Sequence, residues 1–126
     1  MCGFVGFLGG VSSEEQKGAE SLLKRMADTI TYRGPDDEGY WCDVDQRIAL
    51  GHRRLSILDL SSAGHQPMTS PSGRYVIAFN GEAYNHMALR QELGVASWRG
   101  HSDTETLLAG FDEWGIQRTI ERVVGM

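Results

Sequence analysis

The chain has 126 residues, of which 40% are hydrophobic and 23% are charged, a composition typical of one folded domain with a modest core. Its formal net charge of −5 gives no electrostatic reason to expect a nucleic-acid partner. The apolar opening Met1–Leu8 is too short to span a bilayer and lacks the flanks of a signal peptide, so no membrane partner is expected. With only Cys2 and Cys42, a disulfide framework is not expected, and the absence of an export signal places both thiols in a reducing compartment, so a cytoplasmic location is expected.

The first half of the chain predicts strands around one helix. Phe4–Leu8 has strand composition, and Ser12 and Glu15 have the spacing of a capping box, so a helix is expected to begin near Ser13. Apolar residues at helical spacing then predict a helix face that lies on a sheet: Ala19, Leu22, Leu23, Met26 and Ile30. After a loop that contains Gly and Pro, three strand-like runs suggest a meander: Tyr40–Val44, Arg47–His52 and Arg54–Leu58.

The second half of the chain is more helical. An apolar strand is predicted over Tyr75–Phe79, and the Asn80-Gly81 pair that follows is the strongest short hairpin signal in the chain. His86–Leu93 predicts a short helix, and Ser102 with Glu105 offers a second capping box. The apolar face of the helix that follows comprises Leu107, Leu108, Phe111 and Trp114. Strands with segregated helices indicate an α+β fold of antiparallel sheets with flanking helices.

The end of the chain differs from an ordinary terminus. An apolar stripe formed by Ile120, Val123 and Val124 runs to the last residue, without the polar tail that termini usually carry. No repeat or linker marks a boundary further inside. We therefore expect residues 1–126 to be the N-terminal portion of a single, longer domain.

Cys2 would carry two functional groups if Met1 were removed, as is expected when the second residue is small. Its thiol could then act as a nucleophile, with the free α-amine as the base. The alternative is a small buried hydrophobe at the start of a strand, and position alone favours it. Cys42, inside a strand-like run, is assigned to packing. No metal site is expected, because no metal-ligand spacing links the four histidines, which are His52, His65, His86 and His101.

Five motifs follow one another along the chain. They are Met1-Cys2-Gly3, residues 32–36, residues 51–59, residues 79–85 and Ser102-Asp103. Together they resemble the class II, N-terminal-nucleophile glutamine amidotransferase domain of the glutamine-dependent asparagine synthetases, over nearly the whole chain. The His-x-Arg-Leu-Ser-Ile and Asn-Gly-Glu-x-Tyr-Asn stretches resemble this branch in particular. The resemblance reverses the preference for a packing role at Cys2.

The resemblance implies a set of catalytic residues. Cys2 would attack the side-chain amide carbon of glutamine and release ammonia through a thioester. The side-chain amide of Asn80 and the backbone N–H of Gly81 would donate to the oxyanion. On local signals alone Asn80-Gly81 is only a type I′ turn, and both interpretations can hold.

The resemblance also implies how glutamine is bound. Arg54 matches the family's arginine for the α-carboxylate, whereas Arg53 should point to the other face of the strand. Glu82 and Asp103 match the acceptors for the α-ammonium, although Asp103 is also a good helix start. The loop 33–36 is assigned to shaping the pocket. The implied glutamine-binding set is Arg54, Leu55, Ser56, Ile57, Leu58, Asn80, Gly81, Glu82 and Asp103.

At the level of the whole protein, the resemblance implies a glutamine-hydrolysing asparagine synthase with an αββα N-terminal-nucleophile (Ntn) hydrolase sandwich. The remainder of this domain and a C-terminal synthetase domain, which uses ATP and Mg²⁺ to amidate aspartate, would lie outside the sequence, so the segment alone is expected to be inactive. The implied partners are L-glutamine and that synthetase domain, and a homodimer is left open. The alternatives are another carboxylate acceptor, such as a sugar acid, and a non-catalytic glutamine-binding module.

Overall fold

The computed structural model describes residues 1–9, 16–56 and 61–126. Over these residues the chain is α+β, with antiparallel sheets and four α-helices, as the sequence predicted. The strands are β1 (Gly3–Leu8), β2 (Asp37–Asp43), β3 (Ile48–Arg54), β4 (Met68–Thr69) and β5 (Val76–Ile77). The helices are α1 (Gln16–Asp28), α2 (His86–Leu93), α3 (Asp103–Trp114) and α4 (Ile116–Arg122), with short 3₁₀ turns at Thr31–Arg33 and Ser62–Gly64.

The chain forms two compact units. The described residues of the first, which we call the N-terminal unit, are 1–9, 16–56, 65–67 and 78–80. Those of the second, the C-terminal unit, are 61–64, 68–77 and 81–126. Within the described ranges, no helix combines the length and the apolar character needed to cross a membrane.

The N-terminal unit is built on a three-stranded antiparallel sheet in the order β1-β3-β2. Helix α1 packs on one face of it, where Ala19 and Leu23 join Ala49 of β3 in the core. Gly51 of β3 allows this approach, because a Cβ there would lie 3.3 Å from the Leu23 side chain. The central strand β3 therefore has a neighbour on both edges and a helix on one face.

The strand arrangement of the N-terminal unit corrects the sequence prediction. The predicted strands Arg47–His52 and Arg54–Leu58 are not separate, because β3 continues through Arg54. Backbone pairing explains this, since β1 pairs with β3 as far as Arg53 and β2 pairs with it as far as Arg54. Within the described residues the strands are thus a hairpin, β2-β3, flanked by β1, and not a meander of three consecutive strands, although Ile57 and Leu58 of the predicted third strand lie outside those residues.

The helix prediction in this unit is confirmed, with different details. Helix α1 ends at Asp28, and its described buried residues are Ala19, Leu23 and Ala27. Leu22 is 44% exposed and so does not belong to the packed face. The buried positions recur at four-residue spacing, which leaves Leu22 beside the stripe. The predicted capping box of Ser12 and Glu15 and the start near Ser13 lie outside the described residues.

The C-terminal unit is centred on α3, against which α2, α4 and the β4-β5 hairpin pack. Helix α2 has the predicted bounds and is capped by Gly94, whose φ of 61° is the left-handed conformation common after helices. Helix α3 is buried along its first two turns, from Asp103 to Gly110. It therefore provides the core of this unit.

The Asn80-Gly81 hairpin prediction is wrong. A type I′ turn requires positive φ at both central residues, and neither of these two has one. The hairpin turn lies earlier, where Ser70 N–H donates to Tyr75 O and Gly73 has a φ of 74°. Strand β5 is accordingly shorter than predicted, because it pairs back onto β4 instead of forward across Asn80.

Candidate active site

Cys2 lies immediately before β1, and its thiol contacts the backbone of a distant residue. The Sγ atom accepts a hydrogen bond from Leu55 N at 3.3 Å and donates to Leu55 O at 3.6 Å. Gly3 pairs with Arg53, so the β1–β3 ladder brings the two segments together. The fold therefore places the predicted nucleophile beside the residue that follows Arg54.

The loop of residues 33–36 contacts both the backbone of Cys2 and the end of β3. Arg33 Nε donates to Cys2 O at 3.2 Å, which fixes the backbone that carries the thiol. Gly34 is buried, and a Cβ at this position would overlap the backbone between Arg53 and Arg54. The φ of Gly34 is −145°, so close approach and not unusual backbone geometry requires glycine here.

Asp36 fastens the same loop to the chain beyond β3. Its N–H donates to Arg54 O at 3.0 Å, and its Oδ2 accepts from Ser56 N at 2.8 Å. The carbonyl of Arg54 and the N–H of Ser56 flank Leu55, the residue that contacts Cys2. The loop thus supports the backbone around the predicted substrate-binding residues.

The two consecutive arginines at the end of β3 have different surroundings. Arg53 lies on the α1 side, where it ion-pairs with Asp28 and, at 2.5 Å, with Glu38. Arg54 is also buried, with 8% of its surface exposed. Alternation along the strand predicts that its side chain lies on the opposite face. The structure thus shows Arg53 on the α1 side, whereas the orientation of Arg54 toward the substrate stays a prediction.

Phe79, the residue before Asn80, has both its backbone N–H and its carbonyl hydrogen-bonded to buried side chains. His52 Nε2 donates to Phe79 O at 3.0 Å, and Phe79 N donates to Gln66 Oε1 at 2.6 Å. Burial lowers the pKa of His52 below its ordinary value of 6.5, which favours the neutral form of the ring. The accepting carbonyl requires the tautomer with hydrogen on Nε2.

In the C-terminal unit, Glu82 lies in a short antiparallel pairing with the last residues of the chain. Glu82 N donates to Met126 O at 2.8 Å, and Met126 N donates to Glu82 O at 3.0 Å. Gly125 faces Ala83 in this bridge, and a Cβ on Gly125 would overlap the carbonyl of Glu82. The backbone of Glu82 is therefore held by residues more than forty positions away.

Asp103 is the first residue of α3, and its carboxylate is bonded to two backbone groups. Oδ2 accepts from Ala83 N at 2.8 Å, and Oδ1 accepts from Thr104 N at 2.8 Å. The first of these bonds ties the helix start to the residue after Glu82. Oδ1 also accepts from Thr104 Oγ1 at 3.5 Å, so the second acceptor position of the carboxylate that these bonds leave is on Oδ2. Asp103 therefore has a structural role, and its role in binding glutamine stays a prediction.

The predicted capping box before α3 forms only in part. Ser102 is the N-cap, and its side chain accepts from Glu105 N at 3.4 Å. The Glu105 carboxylate does not complete the box, because it accepts instead from Arg99 N at 2.8 Å and Gly100 N at 3.1 Å. Glu105 thus organises the loop that leads into Asp103.

Arg90 of α2 supports the same loop and was not singled out from the sequence. Its guanidinium donates to Gly100 O at 2.9 Å and Ser102 O at 2.8 Å, and it lies over the Trp98 ring. A cavity of about 390 Å³ borders this cluster, and none of the predicted site residues lines it. A buried arginine gives no local signal in a helical sequence pattern.

The predicted site residues divide between the two units. Cys2, Arg54, Leu55, Ser56 and Asn80 belong to the N-terminal unit, and Gly81, Glu82 and Asp103 belong to the C-terminal unit. Ile57 and Leu58 lie outside the described residues. Direct contact joins Cys2 to Leu55, and Asp103 to the neighbour of Glu82.

Two side chains that support the site were also missed. His52 stood within a quoted motif and was considered only as a metal ligand, whereas Gln66 carried no signal at all. Cys42 packs against the α1 core, and burial raises the pKa of its thiol, which fits the predicted packing role. In the ranges that the structure describes, no three His, Cys, Asp or Glu side chains are grouped so as to hold a metal ion.

The sequence family described as "Glutamine amidotransferase domain" matches residues 1–126. Glutamine-hydrolysing asparagine synthetase 2 of Bacillus subtilis (strain 168) is 38% identical over 126 residues, or 100% of this chain. Glutamine-hydrolysing asparagine synthetase 1 of the same organism is 42% identical over 113 residues, or 88% of the chain.

A putative glutamine-hydrolysing asparagine synthetase of Mycobacterium tuberculosis (strain H37Rv) is 36% identical over 139 aligned residues, which include the whole chain. The matched regions are 16%, 17% and 21% of the length of these three relatives. The chain thus spans about a fifth or less of each. Because the family match covers every residue from 1 to 126, the chain belongs to the glutamine amidotransferase domain family.

Proposed function

We propose that this chain is the N-terminal portion of a domain that hydrolyses glutamine, with Cys2 as the nucleophile. The observation that carries the proposal is the contact between Cys2 Sγ and the backbone of Leu55, next to the buried Arg54. A thiol and a guanidinium in neighbouring segments suit a substrate with an amide at one end and a carboxylate at the other. Membership of the amidotransferase family supports the same reaction.

In the proposed reaction, the thiol sulfur attacks the side-chain amide carbon of glutamine, and its proton passes to the α-amine of Cys2. The tetrahedral oxyanion accepts hydrogen bonds from the side chain of Asn80 and the N–H of Gly81. The amine returns the proton to the leaving nitrogen, the C–N bond breaks, and ammonia leaves a thioester. Water then attacks the thioester carbon, which releases glutamate and restores the thiol.

The substrate is bound through its α-carboxylate and α-ammonium groups. Arg54 engages the carboxylate, with Leu55 and Ser56 beside it, as the family resemblance assigns. Glu82 and Asp103 accept from the ammonium group. The second acceptor position on Asp103 Oδ2, which the bond from Ala83 N leaves, is compatible with this role.

Removal of Met1 is part of the proposal, because the α-amine of Cys2 is otherwise in a peptide bond. Met1 is 65% exposed, so a processing enzyme can reach it. The residue that follows Cys2 is Gly3, which begins β1, so the new terminus would remain anchored by the sheet. We expect activity only from the processed chain.

The complete domain is proposed to be an αββα sandwich. Helix α1 covers one face of the three-stranded sheet, while the other face presents Phe4 and Leu8, which are 54% and 80% exposed. Exposed apolar residues of this kind are usually covered in an intact protein. A second sheet, from residues outside this sequence, is the proposed cover.

The ammonia is proposed to serve the ATP-dependent amidation of aspartate, in a synthetase domain outside the chain. The names of the relatives support this acceptor, although the chain spans only about a fifth or less of their length. ATP and Mg²⁺ are proposed to bind in that domain, as the resemblance to the asparagine synthetases implies. The proposed partners of this chain are L-glutamine and the synthetase domain.

The test is glutaminase activity of the full-length, N-terminally processed protein, measured as glutamate release. We expect activity in the wild type and a loss of at least about 10³-fold in Cys2→Ala. The matched control is Cys42→Ala, which removes the other thiol and should change kcat by less than about threefold. A processed wild type without activity, or an active Cys2→Ala variant, contradicts the proposal.

A further inference from the structure

Both backbone groups of Phe79 are held by side chains from elsewhere in the N-terminal unit. The carbonyl accepts from His52 Nε2 at 3.0 Å, and the N–H donates to Gln66 Oε1 at 2.6 Å. His52 lies 27 residues and Gln66 lies 13 residues from Phe79 in sequence. His52 has no exposed surface, and Gln66 is buried. Two buried polar side chains thus each form a hydrogen bond with the backbone of one residue, which lies outside the helices and strands.

The carbonyl that His52 holds belongs to the peptide unit between Phe79 and Asn80. Because a peptide unit is planar, fixing its carbonyl also fixes the direction of the Asn80 N–H and the position of the Asn80 Cα. Gln66 fixes the preceding peptide unit in the same way. The backbone position from which the Asn80 side chain extends is therefore fixed by the hydrogen bonds of His52 and Gln66.

The hydrogen-bonding state of the His52 ring indicates that this contact is its main polar function. Nδ1 is buried and has no hydrogen-bond partner among the residues described. A buried polar atom without a partner costs free energy, so a histidine used only to fill space would be a poor choice. The single bond from Nε2 to Phe79 is what an apolar residue of similar size could not provide.

We propose that His52 and Gln66 are positioning residues, which aim the side-chain amide of Asn80 at the oxyanion formed during glutamine hydrolysis. This inference rests on the proposed function, in which Asn80 is an oxyanion donor. Loss of one such donor costs about 10²–10³-fold in kcat, and a displacement of about 1 Å can cost on the order of 10²-fold. Since the oxyanion exists only after attack, the effect falls on kcat and not on KM.

The test compares His52→Leu with His52→Gln in the full-length, processed protein, by steady-state hydrolysis of glutamine. Leucine is similar in size but has no donor, whereas the glutamine amide nitrogen can reach the position of Nε2. We expect His52→Leu to lower kcat by about 10- to 100-fold with KM within about threefold, and His52→Gln to recover kcat to within about fivefold of the wild type. Gln66→Met, which removes the acceptor, should lower kcat in the same way.

Three results would overturn the inference: wild-type kcat in His52→Leu, equal kcat losses in the Leu and Gln variants, or a change confined to KM. If His52→Leu does not fold, His52→Asn replaces it. The asparagine amide is too short to reach Phe79 O, so equal kcat values for the Asn and Gln variants would also refute positioning. A wild type that hydrolyses no glutamine refutes the proposed function itself, and is seen before any variant is compared.

Discussion

The two units hold their predicted site residues by different means. In the N-terminal unit, the contacts span long stretches of chain, as in the bond between Cys2 and Leu55, 53 residues apart. In the C-terminal unit, the helix start at Asp103 has local bonds, to the adjacent Thr104 and between Ser102 and Glu105, in addition to the longer-range bond from Ala83 N. The difference teaches that the proposed nucleophile is held by tertiary contacts, whereas Asp103 also follows a local capping rule.

The largest expected effect is on the tertiary contacts of the N-terminal unit. In Gly34→Ala the added Cβ would overlap the backbone between Arg53 and Arg54, so strand or loop must move. We expect a loss of about 3 kcal/mol in the free energy of unfolding, measured by denaturant titration. Gly18→Ala is the matched control, because its Cβ meets nothing within 4 Å and alanine favours the helix. Equal stability of the two variants would contradict the close approach.

A smaller effect is expected on substrate binding in the C-terminal unit. Asp103→Asn retains an oxygen that can accept from Ala83 N but loses the negative charge that we propose pairs with the α-ammonium of glutamine. We expect KM for glutamine to rise by about tenfold, equivalent to about 1.4 kcal/mol, with the fold retained. Steady-state glutaminase kinetics provide the measurement. An unchanged KM in a folded variant would leave Asp103 with its structural role alone.

The local capping rule predicts the next effect. Ser102→Ala removes the acceptor for Glu105 N and should destabilise the protein by about 1 kcal/mol, without changing KM. Ser102→Gly should cost only a few tenths of a kcal/mol, because glycine is tolerated at the N-cap. Thermal or denaturant unfolding of both variants decides the point. A KM change in Ser102→Ala would show that loss of the Ser102 cap also disturbs the proposed glutamine-binding position of Asp103.

The smallest effect concerns pH. Burial lowers the pKa of His52; the bond to Phe79 O and the charge of Asp37 oppose this, and Arg54 and His65 add to it. The unfolded chain therefore takes up a proton near pH 6.5, whereas the folded chain does so only at lower pH. The free energy of unfolding should fall as the pH drops below about 6.5, until the folded-state pKa is reached.

The comparison with His52→Gln isolates this contribution, because glutamine does not titrate. Unfolding measured from pH 7.5 down to pH 5 should show a steeper loss of stability in the wild type than in the variant. Identical slopes would mean that His52 is not buried in its neutral form.

The sequence predicted an element correctly where the residues that determine it are close together along the chain, and wrongly where they are far apart. The bounds of α2 and the N-cap at Ser102 follow from residues within one or two helical turns, and both predictions are confirmed. Two predictions were wrong: the break between separate strands before Arg54, and the hairpin at Asn80-Gly81. In both cases the strand pairing is decided by partners far along the chain. Local propensity does not contain that information.

The site shows the same limit more strongly. On chemistry and position alone, Cys2 was better explained as a packing residue, and only the resemblance to a family selected it. The alternation of Arg53 and Arg54 could be predicted from strand geometry. The support from His52 and Gln66 could not, because their partner is a backbone group 27 and 13 residues away, respectively.

The most direct test of the central claim is to identify the residue that reacts with a glutamine-like electrophile. The processed full-length protein would be incubated with the reagent, and the adduct located by intact-mass and peptide mass spectrometry. We predict one adduct per chain, on Cys2, that excess glutamine prevents from forming. Glutamine hydrolysis without any adduct at Cys2, or equal labelling of Cys42, would contradict the account.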